Sequence, residues 1–312
     1  MVVMRKPYKK AIILGAGGFV GINLSHILAT KGFDLVCFDR SASPHWPISA
    51  KHIIGDFYSM PVELLGSLDQ AVVFHLISSC RPSANTTNAA EEVGNDLVTT
   101  IRYLEECKYR ELRWVFVSSG GTVYGHSDSN QLDETMPTNP ICSYGVVKLA
   151  IEQYFSLYRK LHNIDYVVAR MGNPFGPWQQ PLTGQGLVAA LIYKALNGDQ
   201  IDVWGDGENV RDYIYISDAV DGLLAAACSG KSGEIYNIGT GIGKSINELI
   251  QIIRDTLKIQ VKTRYTEARS VDVKKNILNA KKLFLDTGWR PKISIELGAN
   301  LTTNWLKDNF NG

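Results

Sequence analysis

Seven residues restrict this chain more than any others: Gly15-Ala16-Gly17-Gly18-Phe19-Val20-Gly21, set between an apolar run at 11–14 and a helix-like segment at 20–30. Glycines 15, 18 and 21 permit a tight turn, a close backbone approach to a ligand, and close packing of the helix on the strand. The first turn of that helix presents unpaired N–H groups, which suit a pyrophosphate. Eighteen residues after Gly21, at the end of a second apolar run, stands Asp39. A carboxylate there suits the hydroxyls of an adenosine ribose and repels a 2′-phosphate, so the pattern favours NAD. The adjacent Arg40 pulls the other way, because an arginine can accept that phosphate. A glycine turn alone is a weak signal. Strand, turn, helix and acid in this order make a dinucleotide site the expectation.

Further apolar runs at 35–38, 71–76, 114–117 and 166–169 show no polar alternation. Such runs suit parallel strands buried on both faces. Helix-like stretches at about 91–107 and 143–161 separate them. The expected fold is therefore α/β, a Rossmann-type doubly wound parallel sheet over residues 1–170. Residues 171–312 read differently. A Gly/Pro-rich stretch, MGNPFGPWQQPLTGQG, is followed by shorter elements at 187–196, 213–216, 218–228 and 245–257. They predict a smaller α+β domain, interleaved with the first, that binds the substrate.

Charge and composition narrow the partners. The 32 basic and 31 acidic residues leave a net charge of +1, with no basic excess to favour nucleic acid or an anionic membrane. Apolar runs fall short of the ~18 residues a membrane span needs. The basic start MVVMRKPYKK leads straight into AIILGAGG without a separate apolar leader. Cys37, Cys80, Cys107, Cys142 and Cys228 are scattered without CxxC spacing, which reads as reduced thiols and a cytoplasmic setting. The histidines form neither HxxxH nor HExxH, so no metal site is expected. His75, after a buried run, reads as a core histidine.

The chemistry points to Tyr144-Gly145-Val146-Val147-Lys148. Four residues apart on a helix, the phenol and the ammonium share one face. A cation beside a phenol favours the phenolate and lowers its pKa from about 10, making a usable base near neutral pH. Tyr-x-x-x-Lys is a common pattern. Its weight comes from its place, opening the helix after SSGGTVYG, on the ligand-binding carboxyl side of a parallel sheet.

With these motifs in place, the chain resembles the extended short-chain dehydrogenase/reductases, specifically nucleotide-sugar epimerases of the UDP-galactose 4-epimerase type. The resemblance runs through GAGGFVG, Asp39, FHL at 74–76, Asn95, SSGGTVYG, YGVVK, RMGNPFGP, GDGENVRDYIY, YNIGTG and RSVD. It implies that Gly15, Gly17, Gly18, Phe19, Val20 and Gly21 cradle the NAD pyrophosphate. Asp39 and Arg40 would meet the ribose, Asp56 and Phe57 would flank adenine, and Leu76, Asn95 and Ser118 would line the cofactor groove. Tyr144 would be the acid/base, with Lys148 bonding the nicotinamide ribose. Asn173 and Arg211 would hold the substrate pyrophosphate, Arg269 a phosphate and Asp272 the uridine ribose. Asn276 would influence whether an N-acetyl group fits. A UDP-sugar is the implied substrate, and the implied assembly is a homodimer built on the helices near 91–107 and 143–161.

Three positions depart from the pattern. Gly120 stands where many such epimerases carry Ser or Thr, leaving Ser119 or Thr122 to supply the hydroxyl. Cys80 replaces a lysine found in some of them. No carboxylate occurs in 118–125, which disfavours a 4,6-dehydratase, whose chemistry needs one to abstract a C5 proton. The leading expectation is an NAD-dependent 4-epimerase. The rivals are an NAD(P)H-dependent 4-ketoreductase on the same scaffold and a dinucleotide-sensing protein without turnover.

Overall fold

The computed structural model describes residues 8–79, 88–182, 186–267 and 273–310. Arg269, Asp272 and Cys80 lie outside the described residues. The first apolar run forms strand β1 (Lys10–Leu14), and the glycine turn leads into helix α1 (Phe19–Thr30). There follow β2 (Asp34–Asp39), β3 (Lys51–Ile54), α2 (Val62–Ser67) and β4 (Ala71–His75). The expected long helix near 91–107 is broken into α3 (Ala89–Glu92), a wider π turn (Val93–Val98) and α4 (Thr99–Cys107). The widening falls where buried Asp96 turns inward to accept from Ser78 Oγ at 2.8 Å and Ser79 N at 2.8 Å, just past β4. Then come β5 (Leu112–Ser119), α5 (Ser143–His162) and β6 (Asp165–Met171).

The second half supplies β7 (Asn173–Phe175), α6 (Leu187–Leu196), β8 (Ile201–Trp204), β9 (Val210–Tyr215), α7 (Ile216–Ser229) and β10 (Glu234–Ile238). It continues with β11 (Gly243–Ser245), α8 (Ile246–Leu257), β12 (Thr263–Thr266), β13 (Lys275–Asn276), α9 (Lys281–Thr287) and α10 (Ile295–Phe310). Helix α8 starts on a capping box: Ser245 Oγ accepts from Glu248 N, and Glu248 Oε2 accepts from Ser245 N.

Seven parallel strands form the large sheet in the order β10-β6-β5-β4-β1-β2-β3. The fold is the doubly wound Rossmann type. Its edge strand β10 comes from beyond residue 170, so the chain returns to the large sheet after building β7, β8 and β9. Alternation along β1 divides the core: Ala11 and Ile13 face one apolar layer with α1 and α7, and Ile12 and Leu14 the other with α5. The direction of winding reverses between β1 and β4, which opens a crevice at the carboxyl ends of those strands. Strand β9 organises the smaller part, pairing antiparallel with β11 and parallel with β13 and β7. Among the described residues, no helix is long and apolar enough to cross a membrane.

Candidate active site

The glycine turn lies in the crevice. Gly15, at φ +91°, and Ala16 both donate to the carbonyl of Phe38, at 3.0 Å each. A Cβ on Gly15 would stand 3.3 Å from Ile77 N, so the turn sits tightly against the chain leaving β4. A Cβ on Gly21 would overlap the Gly15 carbonyl oxygen and come within 2.7 Å of Ala16 Cα. Only glycine there lets α1 approach the turn. Gly18 caps α1 without a side chain, so the N–H groups of Phe19, Val20 and Gly21 have no intrahelical acceptor. Asp39 Oδ2 accepts from Gly17 N at 2.9 Å and Oδ1 from Arg40 N at 2.7 Å, which fixes the carboxylate beside the turn. Arg40 itself is exposed. Backbone donors, absent side chains and a fixed acid fit a dinucleotide pyrophosphate and ribose.

Around this cradle, exposed Asp56 uses its carboxylate to cap Tyr58 N at 3.1 Å. Half-buried Leu76 donates its N–H to Leu14 O, and half-buried Asn95 lies in the π turn. The Phe57 ring differs from expectation. It is buried, stacked on Tyr103 at 4.4 Å, so only the backbone of this residue is left to meet a ligand. Asn23 Nδ2 ties α1 to the loop beyond β7 through Pro177 O at 3.0 Å.

Helix α5 begins at Ser143 and brings Tyr144, Lys148 and Glu152 to one face. Tyr144 is half-buried. Lys148 is 3% exposed, and its Nζ donates to Val117 O at 3.2 Å at the end of β5. The ammonium stands 4.9 Å from the Phe116 ring centroid and 5.7 Å from that of Tyr144. Two ring faces thus help to hold a charge removed from water. That charge is felt at His75, whose pKa is pushed down to about 3, by burial first and by Lys148 second. His75 is therefore a neutral core residue; its Nε2 meets Thr100 Oγ1 at 2.9 Å and its Nδ1 has no partner among the described residues.

The hydroxyls after β5 separate into three kinds. Ser118 turns into the core and donates to Glu152, away from the groove it was expected to line. Thr122 packs against Gly145, and its Oγ1 is sealed from solvent with no partner among the described residues. Ser119 is half-buried and donates to nothing among the described residues.

On the other side, the smaller sheet gathers the expected phosphate ligands. Asn173 lies opposite Tyr213 on β9 and donates from Nδ2 to Asp212 O at 3.2 Å. Half-buried Arg211 lies opposite Asn276 and donates to Val210 O at 3.0 Å. Asn276 differs from expectation: it is fully buried, with Nδ2 on Gly120 O at 2.9 Å and an Oδ1 that has no partner among the described residues. Its amide braces the turn after β5 and faces no open space.

The structure adds residues that motif reading missed. Arg170, at the end of β6, forms a buried ion pair with Glu152 at 2.7 Å and lies 4.9 Å from the Tyr124 ring centroid. Asp212 is fully buried; burial pushes its carboxyl pKa up, while Thr240, Gly241 and Leu278 donate to it. Spacing held one clue, since Glu152 falls eight residues after Tyr144 on a helix.

Comparison with known proteins agrees with this geometry. UDP-glucose 4-epimerase of Mycolicibacterium smegmatis is 27% identical over 96% of this chain and 99% of its own length. The structure of Thermotoga maritima UDP-glucose 4-epimerase with UDP-glucose superposes with a TM-score of 0.90 at 28% identity, covering 96% of this chain and 99% of that one. That of Thermus thermophilus UDP-glucose 4-epimerase with NAD gives 0.88 at 25% identity, with the same shares covered. The model of the NAD dependent epimerase/dehydratase family matches residues 11–239, and the chain belongs to that family, with NAD as its cofactor.

Proposed function

We propose that this protein inverts C4 of a UDP-activated hexose, or its N-acetyl form, through a transient 4-keto sugar. The observation that carries the reading is the buried Lys148 ammonium, 5.7 Å from the Tyr144 ring centroid, at the carboxyl end of β5 beside the glycine cradle. When bound, NAD supplies the hydride acceptor and donor and returns to its starting state. The phenolic oxygen of Tyr144 takes the proton of the sugar 4-OH and later gives it back. Lys148 stabilises the phenolate through its charge and holds the nicotinamide ribose. Since Thr122 is sealed off and Gly120 has no side chain, Ser119 provides the second hydroxyl at the sugar. Gly15, Gly17, Gly18, Phe19, Val20, Gly21 and Asp39 hold the dinucleotide. Asn173 and Arg211 orient the substrate pyrophosphate, with Arg269 and Asp272 assigned to the nucleotide by resemblance alone.

The division of labour falls near residue 170, with β10 and α7 returning to the dinucleotide half. We assign the enzyme to the cytoplasm and to a homodimer. Val146, Leu157 and Leu161 leave an apolar stripe exposed along α5, beside exposed Val93 and Val98, which suits helix pairing between two copies.

The test is incubation with UDP-glucose, UDP-galactose and their N-acetyl forms, with and without added NAD, and chromatography of the products. Interconversion without a reductant is expected. Tyr144→Phe should lower the rate by about 10²–10⁴. Near-parental turnover in that variant would overturn the assignment, and stoichiometric consumption of reduced cofactor would transfer it to a ketoreductase.

A further inference from the structure

Three glycines stand at the carboxyl ends of neighbouring strands of the large sheet: Gly120 after β5, Gly172 after β6 and Gly239 after β10. Together they leave a trough, and fully buried Leu278 fills it. A Cβ on Gly120 would overlap Leu278 Cδ1 and lie 3.0 Å from its Cδ2 and 3.1 Å from Arg170 O. A Cβ on Gly239 would lie 2.9 Å from Leu278 Cβ, and one on Gly172 would lie 3.5 Å from Cδ1. Residue 120 is therefore kept small by a side chain that arrives from the other half of the chain.

Leu278 is held firmly in this seat. Its N–H donates to Asp212 Oδ2 at 3.2 Å. On either side, Ile277 O accepts from Leu132 N at 2.8 Å, and Asn279 N donates to Leu132 O at 2.8 Å. Asn276 Nδ2 holds Gly120 O at 2.9 Å. Asp212 lies on β9 directly after Arg211, and its carbonyl accepts from Asn173 at 3.2 Å. The same contacts that seat Leu278 thus set the strand carrying Arg211 over the sheet ends carrying Ser119.

We propose that Leu278 is a positioning residue for the nucleotide-sugar side of the site. By occupying the trough of Gly120, Gly172 and Gly239, it fixes the height of β9 above β5 and β6, and so the reach of Arg211 and Asn173 to a uridine diphosphate. This deepens the function proposed above and rests on it for the identity of the ligand.

The test uses the full-length protein as Leu278→Ala, Gly120→Ala, the double variant and Leu278→Met. The readouts are UDP affinity by calorimetry, NAD content, melting temperature and KM against kcat. In Gly120→Ala the new methyl drives Leu278 out, and UDP Kd and KM rise by about tenfold or more, with NAD content unchanged. Leu278→Ala weakens UDP in the same way by emptying the trough. In the double variant the methyl occupies part of the vacated space, and UDP affinity returns to within about threefold of the parent, a strong coupling between touching residues. Leu278→Met, of similar volume, keeps parental UDP affinity.

Unchanged UDP affinity in both single variants, or effects that add in the double, overturns the proposal. A fall in melting temperature without a change in UDP affinity also overturns it, because Leu278 would then only fill space. If the parent binds UDP but turns over no UDP-sugar, the epimerase reading fails and the coupling still decides this proposal. A parent that binds no UDP overturns both.

Discussion

Removing the carboxylate of Glu152 asks whether helix α5, which carries Tyr144 and Lys148, is held in place by a buried ion pair. Glu152 accepts from Arg170 Nε at 3.1 and 3.2 Å, from Arg170 Nη2 at 2.7 Å and from the Ser118 hydroxyl. The two side chains are 0% and 3% exposed. Burial alone would lower the basicity of Arg170, but the hydrogen bonds and charge of Glu152 outweigh it and raise it. In Glu152→Ala the guanidinium would be stranded with the Tyr124 ring as its main remaining partner, and its Nη1 already lacks a hydrogen bond among the described residues. Breaking one side of a buried pair costs about 3–5 kcal/mol. For 312 residues the unfolding entropy near the midpoint is about 0.65 kcal/mol per kelvin, so Tm should fall by about 5–8 °C. Scanning calorimetry reads this directly. Because Tyr144, Lys148 and Glu152 share one helix face, kcat should fall more than KM rises. Replacing both partners by methionine removes the stranded charge and should restore most of the lost Tm. A Tm within about 1 °C of the parent in Glu152→Ala would refute the argument, since a penalty of about 3–5 kcal/mol cannot hide in so small a shift.

Two further outcomes follow from the same contacts. Gly21→Ala places a methyl against the Gly15 carbonyl and Ala16, so α1 must back away from the turn at a cost of about 1–3 kcal/mol; NAD affinity by calorimetry should drop about tenfold or more, and an unchanged Kd would show that the helix start does not set the phosphate site. His75 has its pKa depressed from 6.5 to about 3, so between those values the unfolded chain binds a proton that the folded chain does not. Stability should therefore fall as pH drops through that window, by at most about 1.4 kcal/mol per unit from this residue. Urea unfolding between about pH 4 and 7 should show a shallower slope for His75→Gln, and identical slopes would mean that His75 is not held neutral.

The dinucleotide half was legible because each element carries a local signature. The apolar run at 11–14 has no polar alternation, glycines fall at spacings that suit a tight turn, and Asp39 ends the next strand. The shared helix face of Tyr144 and Lys148 was legible for the same reason, since four residues is one helical turn. What stayed hidden depends on contacts between distant segments. Arg170 and Glu152 are an arginine and a glutamate in sequence, and only the pairing of β6 with β5 beneath α5 makes them partners. The family resemblance placed Asn276 at the substrate, yet its pairing register with Arg211 turns its amide under the sheet ends.

Gly120 shows most clearly why a motif and its surroundings have to be considered together. In sequence it is a missing hydroxyl, a gap in an otherwise familiar run. In the fold it is one wall of a trough, and the cluster of Val123, Tyr124, Leu132 and Leu278 packs beside it. Restoring a serine at 120 alone would therefore collide with Leu278 before its hydroxyl could reach a sugar. A hydroxyl-bearing side chain at 120 and the seat of Leu278 compete for one volume, and this chain gives that volume to leucine. On the epimerase reading proposed above, the hydroxyl would come from a neighbour on the same strand end, and Ser119 is the one whose side chain is neither bonded to Glu152 like Ser118 nor sealed in like Thr122.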